Sequence, residues 1–287
     1  MENSINISEM FRKQMAPSRA LGRGMKIAVA GKGGVGKTTL AGTLARLMAR
    51  SGLKVLAIDA DPAMNLFYAL GISPDLFKSL KPISERSDLI EERTSFSSSP
   101  GLGAVFRLNP KVDDIVDRYG LRGPDDVRLL VMGTVKSAGS GCMCPANALL
   151  RALMRHLVLE RNEVVILDME AGLEHLGRGT ARGVDLMIIV VEPGRQSVET
   201  ARRIAGLAEE LDIGRVVAVG NKISSIEEQE NLKNSISELE IPLVGMIPFD
   251  KRLLEADLCQ TAPVDYSDSL AVAKIDEIRD RLLSRLA

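Results

Sequence analysis

Gly31-Lys32-Gly33-Gly34-Val35-Gly36-Lys37-Thr38 is the stretch that decides the fold. It satisfies G-x-x-x-x-G-K-S/T in the context that gives the pattern physical meaning. The apolar run Met25-Lys26-Ile27-Ala28-Val29-Ala30 precedes it, and a helical pattern opens at Thr39. Glycines at this spacing let consecutive backbone N–H groups, from Gly33, Gly34, Val35 and Gly36 through Lys37, Thr38 and Thr39, turn toward one anion, and the helix N-terminus adds positive partial charge. Lys37 then neutralises the outer phosphates of a nucleotide, and the Thr38 hydroxyl binds Mg²⁺.

Outward from this loop, short β-branched runs at 25–30, 55–59, 128–132, 163–168, 186–191, 216–219 and 244–247 alternate with helical patterns. Such alternation calls for the α/β class: a mostly parallel central sheet flanked by helices on both faces, the P-loop NTPase fold. Residues 39–50 put Leu40, Leu44, Leu47 and Met48 on one helical face, and 145–159 do the same with Leu149, Leu150, Leu153 and Leu157. Residues 72–124, rich in Ser, Pro and charge, are the least periodic and read as loops, short helices and an edge strand. Residues 1–24 show no sustained period, so they read as a flexible extension, or as a leader before a translation start at Met25. Residues 25–287 then form a single domain, for which 45% apolar content is enough to fill a large core.

With 37 Lys and Arg against 38 Asp and Glu, the chain has no excess positive field to gather nucleic acid. It has no Trp and only three Tyr and six Phe, which leaves few rings for stacking on bases. No apolar run is long enough to span a bilayer, so the expected setting is cytoplasmic with no membrane partner. Three cysteines cannot build a disulfide framework.

Carboxylates at the C-terminal rim of a parallel sheet lie beside the ligand crevice. Asp59-Ala60-Asp61-Pro62 ends one run and Asp168 another; Asp168 is placed to hold Mg²⁺ through water. Gly172 follows, where a residue without a side chain can bring its N–H to a γ-phosphate. His175, near it, and His156 read as surface and helix residues. After 216–219 comes Asn221-Lys222-Ile223-Ser224. Guanine-specific proteins carry Asp where this chain has Ser224, whereas the Asn221 amide can pair with adenine's adjacent donor and acceptor, so ATP and ADP are the expected nucleotides. Pro248 and Phe249 close the other side of the base.

Gly139-Ser140-Gly141-Cys142-Met143-Cys144-Pro145 precedes the second amphipathic pattern. On extended backbone Cys142 and Cys144 point to one side, and Cys144 at a helix N-terminus is thiolate-rich. They supply half of a tetrahedral or square-planar set, which a second copy on a two-fold axis would complete; two adjacent free thiols are the alternative.

The run K-G-G-V-G-K-T-T at 32–39 resembles the deviant phosphate loop of the MinD, ParA and nitrogenase iron-protein superfamily. That resemblance implies that Lys32 reaches across a homodimer to the partner's nucleotide as a catalytic charge stabiliser, that Asp61 orients or deprotonates the attacking water, and that Asp59 assists the Mg²⁺ shell. G-S-G-C-M-C-P at 139–145 and L-D-M-E-A-G-L-E-H-L-G-R-G-T at 167–180 narrow the likeness to the CooC-type accessory ATPases of carbon monoxide dehydrogenase. This implies an ATP-driven dimer that binds nickel or zinc through Cys142 and Cys144, shared between copies, and helps insert nickel into its client, carbon monoxide dehydrogenase. An iron-protein-like 4Fe–4S reductase would need a cysteine just after Asp168, and the next one is Cys259. A positioning ATPase would use the last helix as a membrane tail. Its apolar side, Ile275, Ile278, Leu282 and Leu286, is backed by charges of both signs and reads as core.

Overall fold

The computed structural model describes residues 24–94, 114–133, 162–169 and 183–284. The strands β1 Met25–Gly31, β2 Lys54–Ala60, β3 Leu121–Arg122, β4 Arg128–Val131, β5 Glu163–Met169, β6 Leu186–Val191, β7 Val216–Ile223 and β8 Leu243–Pro248 form one sheet. Their order is β3-β4-β2-β5-β1-β6-β7-β8, and every pairing is parallel except β3 against β4. The described helices are α1 Lys37–Arg50, α2 Leu66–Leu70, α3 Pro74–Lys78, α4 Ser87–Thr94, α5 Ile115–Tyr119, α6 Arg195–Glu210, α7 Ile226–Ser237, α8 Lys251–Leu258 and α9 Leu270–Leu283.

The two-residue period of β1 sorts its side chains between two cores. Ile27 and Val29 face α1, α2 and α9 through Leu40, Leu44, Leu66, Ile275 and Ile278. Ala28 and Ala30 face the other side, where α6 and α7 contribute Ala201, Ile204, Leu232 and Ile236. Helices on both faces explain why β1 is buried along its whole length. In α9, Ile275, Ile278 and Leu282 are all buried, each worth about 1.5–3 kcal/mol. This helix therefore docks on the core as its pattern predicts.

Strand bounds agree with the sequence reading to within a residue or two except at β7. It runs on through Asn221 and Lys222 to Ile223, with a register shift against β8 and a left-handed φ of 58° at Lys222. The edge strand expected in residues 72–124 is β3, only two residues long. At the opposite margin, Arg281 Nη1 donates to the Val244 carbonyl of β8 at 2.6 Å.

The C-terminal end of α1 is tied down by charge. Arg46, 4% exposed, pairs through Nε with Asp125 and through Nη2 with Asp265 at 3.0 Å, and Nη1 donates to the Leu70 carbonyl at 2.9 Å. Arg50 repeats the pattern from one turn on, reaching Asp125 at 2.8 Å, Asp265 at 2.7 Å and the Val264 carbonyl at 3.2 Å. A cation in the last turn also suits the helix dipole.

Candidate functional site

Because β1 lies between β5 and β6, the loop that leaves its C-terminal end opens at the middle of the sheet, where the chain's progress across the strands changes direction. Gly36 caps α1 with φ 95°, and a side chain there would collide with the Asn221 amide. At Gly31, φ is 152° and an added Cβ would lie 2.5 Å from the Val190 carbonyl oxygen. Both positions therefore require glycine. Gly33 and Gly34 at the crest are exposed. Lys37 is buried, with Nζ donating to the Lys32 carbonyl at 3.3 Å.

Two adjacent residues of β7 brace two adjacent carbonyls of the loop. Asn221 Nδ2 donates to Val35 O at 2.8 Å, and Lys222 Nζ to Gly34 O at 2.6 Å. Since a peptide's C=O and N–H point in opposite directions, holding the Val35 carbonyl turns the Gly36 N–H away from Asn221. The bulge and positive φ at Lys222 are what carry its side chain over the crest.

Below the loop lie two acids in register, Asp59 on β2 opposite Asp168 on β5, both completely buried. Asp59 accepts from the backbone N–H of Leu66 at 3.0 Å and of Asp61 at 3.2 Å. Burial pushes its carboxyl up to about 7, an effect those two N–H groups oppose and the Asp61 charge reinforces. Asp168 is pushed up to about 7 as well, again chiefly by burial, with Asp59 and Asp61 adding to it; the Thr38 hydroxyl and the Lys37 ammonium pull the other way. Thr38 is near enough to exert that pull, but among the described residues neither Asp168 oxygen has a partner in hydrogen-bond geometry. A buried carboxylate with two idle oxygens next to a threonine hydroxyl fits a hard divalent cation that takes oxygen ligands.

On the β7–β8 side a cavity of about 450 Å³ opens from the loop, lined by Gly36, Thr38, Asn221, Lys222, Pro248 and Phe249 among others. Phe249 is half-exposed at its mouth. Asp250 is committed elsewhere: its carboxylate accepts from Arg252 N at 2.9 Å, Ser269 Oγ at 2.7 Å and Ala271 N at 3.0 Å, tying the start of α8 to that of α9.

A family model described as the CobQ/CobB/MinD/ParA nucleotide binding domain matches residues 26–264. The chain is 45% identical over 243 residues to the carbon monoxide dehydrogenase accessory protein CooC of Rhodospirillum rubrum, covering 85% of this chain and 90% of that one. This chain belongs to the CobQ/CobB/MinD/ParA family, in its CooC-type branch. It is a P-loop ATPase. An uncharacterized ATP-binding protein of Methanocaldococcus jannaschii is 46% identical over 256 residues, 88% of this chain and 96% of that one. Among solved structures, the cell division ATPase MinD of Pyrococcus furiosus superposes with a TM-score of 0.66 at 19% identity, covering 91% of this chain and 99% of its own. That likeness shows the fold.

In this CooC-type ATPase the structure brings most of the sequence-read residues together. The loop residues, Asp59, Asp61 and Asp168 share one rim, and Asn221, Lys222, Pro248 and Phe249 share one cavity. Asn221, expected to read the base, is seen bracing the loop through Nδ2, which the sequence reading did not anticipate. Asp61 Oδ1 accepts from Ala63 N at 2.9 Å, the local turn contact typical of an aspartate after a strand. Lys32, expected to reach a second copy, pairs within its own chain with Glu192 at 3.5 Å. Gly172, Cys142 and Cys144 lie outside the described residues. Sequence reasoning missed Glu192, although the rule applied to Asp59 and Asp168 would have found it: it is the carboxylate next after β6.

Among the described residues no helix is long and apolar enough to cross a membrane.

Proposed function

We propose that this chain is an ATP-hydrolysing, Mg²⁺-dependent homodimer that works in the cytoplasm as a nickel-insertion chaperone for carbon monoxide dehydrogenase. The reading is carried by near-full-length likeness to the Rhodospirillum rubrum accessory protein. It is supported by the idle Asp168 carboxylate beneath the phosphate loop.

The loop N–H groups and Lys37 bind the β- and γ-phosphates. Thr38, and Asp168 through water, would hold Mg²⁺, with Asp59 behind them, and the bound cation would supply neutralisation of charge on the transferred phosphoryl group. Asp61 at the rim orients the attacking water, and the Gly172 N–H approaches the γ-phosphate. Pro248, Phe249 and the Asn221–Lys222 pair enclose the adenine. Lys32 reaches the nucleotide of a second copy. Cys142 and Cys144 of each copy form a nickel- or zinc-binding set that responds to pairing. Residues 1–24 are an N-terminal extension, and 25–287 are one ATPase domain.

The test is equilibrium titration with nickel or zinc combined with size measurement, with ADP or a non-hydrolysable ATP analogue. The wild type pairs and takes up metal; the Cys142→Ala, Cys144→Ala double variant keeps nucleotide and loses metal. A chain that stays single under every combination of nucleotide and metal defeats the reading. Lys32→Ala lowers turnover by about 10³-fold or more while retaining nucleotide binding.

A further inference from the structure

We infer that Glu192 is a positioning residue for the phosphate-loop cation Lys32, holding it in cis over its own chain until a second copy engages it. The inference rests on the proposed pairing of two copies and adds to it the residue that opposes Lys32's departure.

Register dictates where Glu192 stands. Gly31 at the end of β1 pairs with Val190 of β6, and Val191 of β6 pairs with Gly220 of β7. One step past those pairs, Glu192 lies between Lys32 on the phosphate loop and the Asn221–Lys222 brace. Its backbone N–H donates to Ser197 Oγ at 3.0 Å, and Ser197 is buried, so the turn that aims the carboxylate is fixed. One oxygen, Oε1, meets Lys32 Nζ at 3.5 Å; the other, Oε2, meets Lys222 Nζ at 3.3 Å. Lys222 in turn holds the Gly34 carbonyl.

A carboxylate beside an anion site works against the anion, and here two ammonium groups mask it. The masking is unequal. Lys222 is anchored twice, to Glu192 and to the loop, whereas the only hydrogen bond or ion pair the described residues give the Lys32 ammonium is the one with Glu192. Lys32 is therefore the cation that can leave, and Glu192 keeps a partner when it does. For one side chain, pairing with Glu192 and reaching across to another copy are alternatives, so the strength of the cis pair is subtracted from the formation of the nucleotide-bound dimer.

The pair is partly exposed, 37% at Lys32 and 22% at Glu192, so the effect is modest. Glu192→Gln in the full chain lowers the protein concentration at which a non-hydrolysable ATP analogue produces dimers, by about threefold to fivefold. The shift shrinks as salt is raised, because exposed ion pairs are screened. Glu192→Asp, which keeps the charge but is one methylene shorter, gives an intermediate shift and serves as the second variant if Gln does not fold. Independently of dimers, acetic anhydride labels Lys32 about threefold faster in Glu192→Gln than in the wild type, read by peptide mass. Equal or weaker dimerisation of both variants beside a dimerising wild type overturns the inference and leaves the proposed function standing. So does a dimer shift without faster Lys32 labelling, which would place the effect in Lys222 or the loop. A wild type that never dimerises overturns both.

Discussion

At the C-terminal end of α1, Arg46 and Arg50 meet Asp125 and Asp265 with all six guanidinium nitrogens bonded, while at its N-terminal end Asp59 and Asp168 lie deeper still with no ion-pair partner among the described residues. Both ends gather two carboxylates. One end supplies the opposite charge from the protein itself; the other keeps carboxylate oxygens idle and faces the ligand crevice. Burial alone would push Asp125 up, but Arg46 and Arg50 outweigh it and hold the carboxyl below its ordinary range. At Asp168 the pull of Thr38 and Lys37 does not outweigh burial. The difference teaches that the same helix is stabilised at one end and kept reactive at the other, the separation expected where function requires a locally costly arrangement.

Removing Arg46 breaks the satisfied end most severely. Arg46→Met leaves Asp125 and Asp265 with Arg50 alone and idles the Leu70 carbonyl, so urea denaturation should report a loss of about 3 kcal/mol while Mg²⁺-nucleotide affinity is retained. The reactive end should respond in the opposite sense. Asp168→Asn relieves a buried unpartnered acid, raises stability by about 1–2 kcal/mol in Mg²⁺-free buffer and removes Mg²⁺-dependent nucleotide binding, measured by titration calorimetry. A destabilised Asp168→Asn would erase the comparison.

The ends also differ in their dependence on pH. Asp59 and Asp168 have folded values of about 7 against 3.8, so between those limits the folded chain holds more protons than the unfolded one. Their contribution therefore grows as pH falls from about 7 toward 4 and is lost on the way back up. Asp125 is lowered, so its contribution is present above 3.8 and is lost only as pH falls below that value. Denaturation across a pH series, wild type beside Asp168→Asn, should show the variant with the flatter profile between pH 4 and about 7. Smallest of all is Arg50→Ala: its side chain is 39% exposed, so solvent screening limits the loss to about 0.5–1 kcal/mol.

Much of this contrast was legible in the residues. The phosphate loop, the strand-end acids and the burying face of α1 follow from local spacing, since glycines, strand ends and helical periods are local physics. Arg46 was not legible, because a charged residue amid Leu44, Leu47 and Met48 reads as solvated until Asp125 and Asp265, distant in sequence, are folded against it. Glu192 was legible as a strand-end carboxylate, but its pairing with Lys32 and Lys222 was not. Its partners are set by β6 lying between β1 and β7, which is a property of strand order. The brace from Lys222 needed the bulge in β7, and no spacing announced it. The readings at Cys142, Cys144 and Gly172 fall on residues the structure does not describe, so for them the sequence stands alone.

Among the described residues, the margins of the sheet bear on the proposed pairing of copies. One flank ends in the two-residue β3, running against its neighbour, and on the other Arg281 already occupies a main-chain acceptor of β8. Among the described residues, the shortness of β3 and the Arg281 contact on β8 shorten the free edge another molecule could extend, which works against accretion strand by strand, the route to fibres. In the proposed pairing, contacts between copies then fall to side-chain surfaces, which are free to answer to a bound nucleotide.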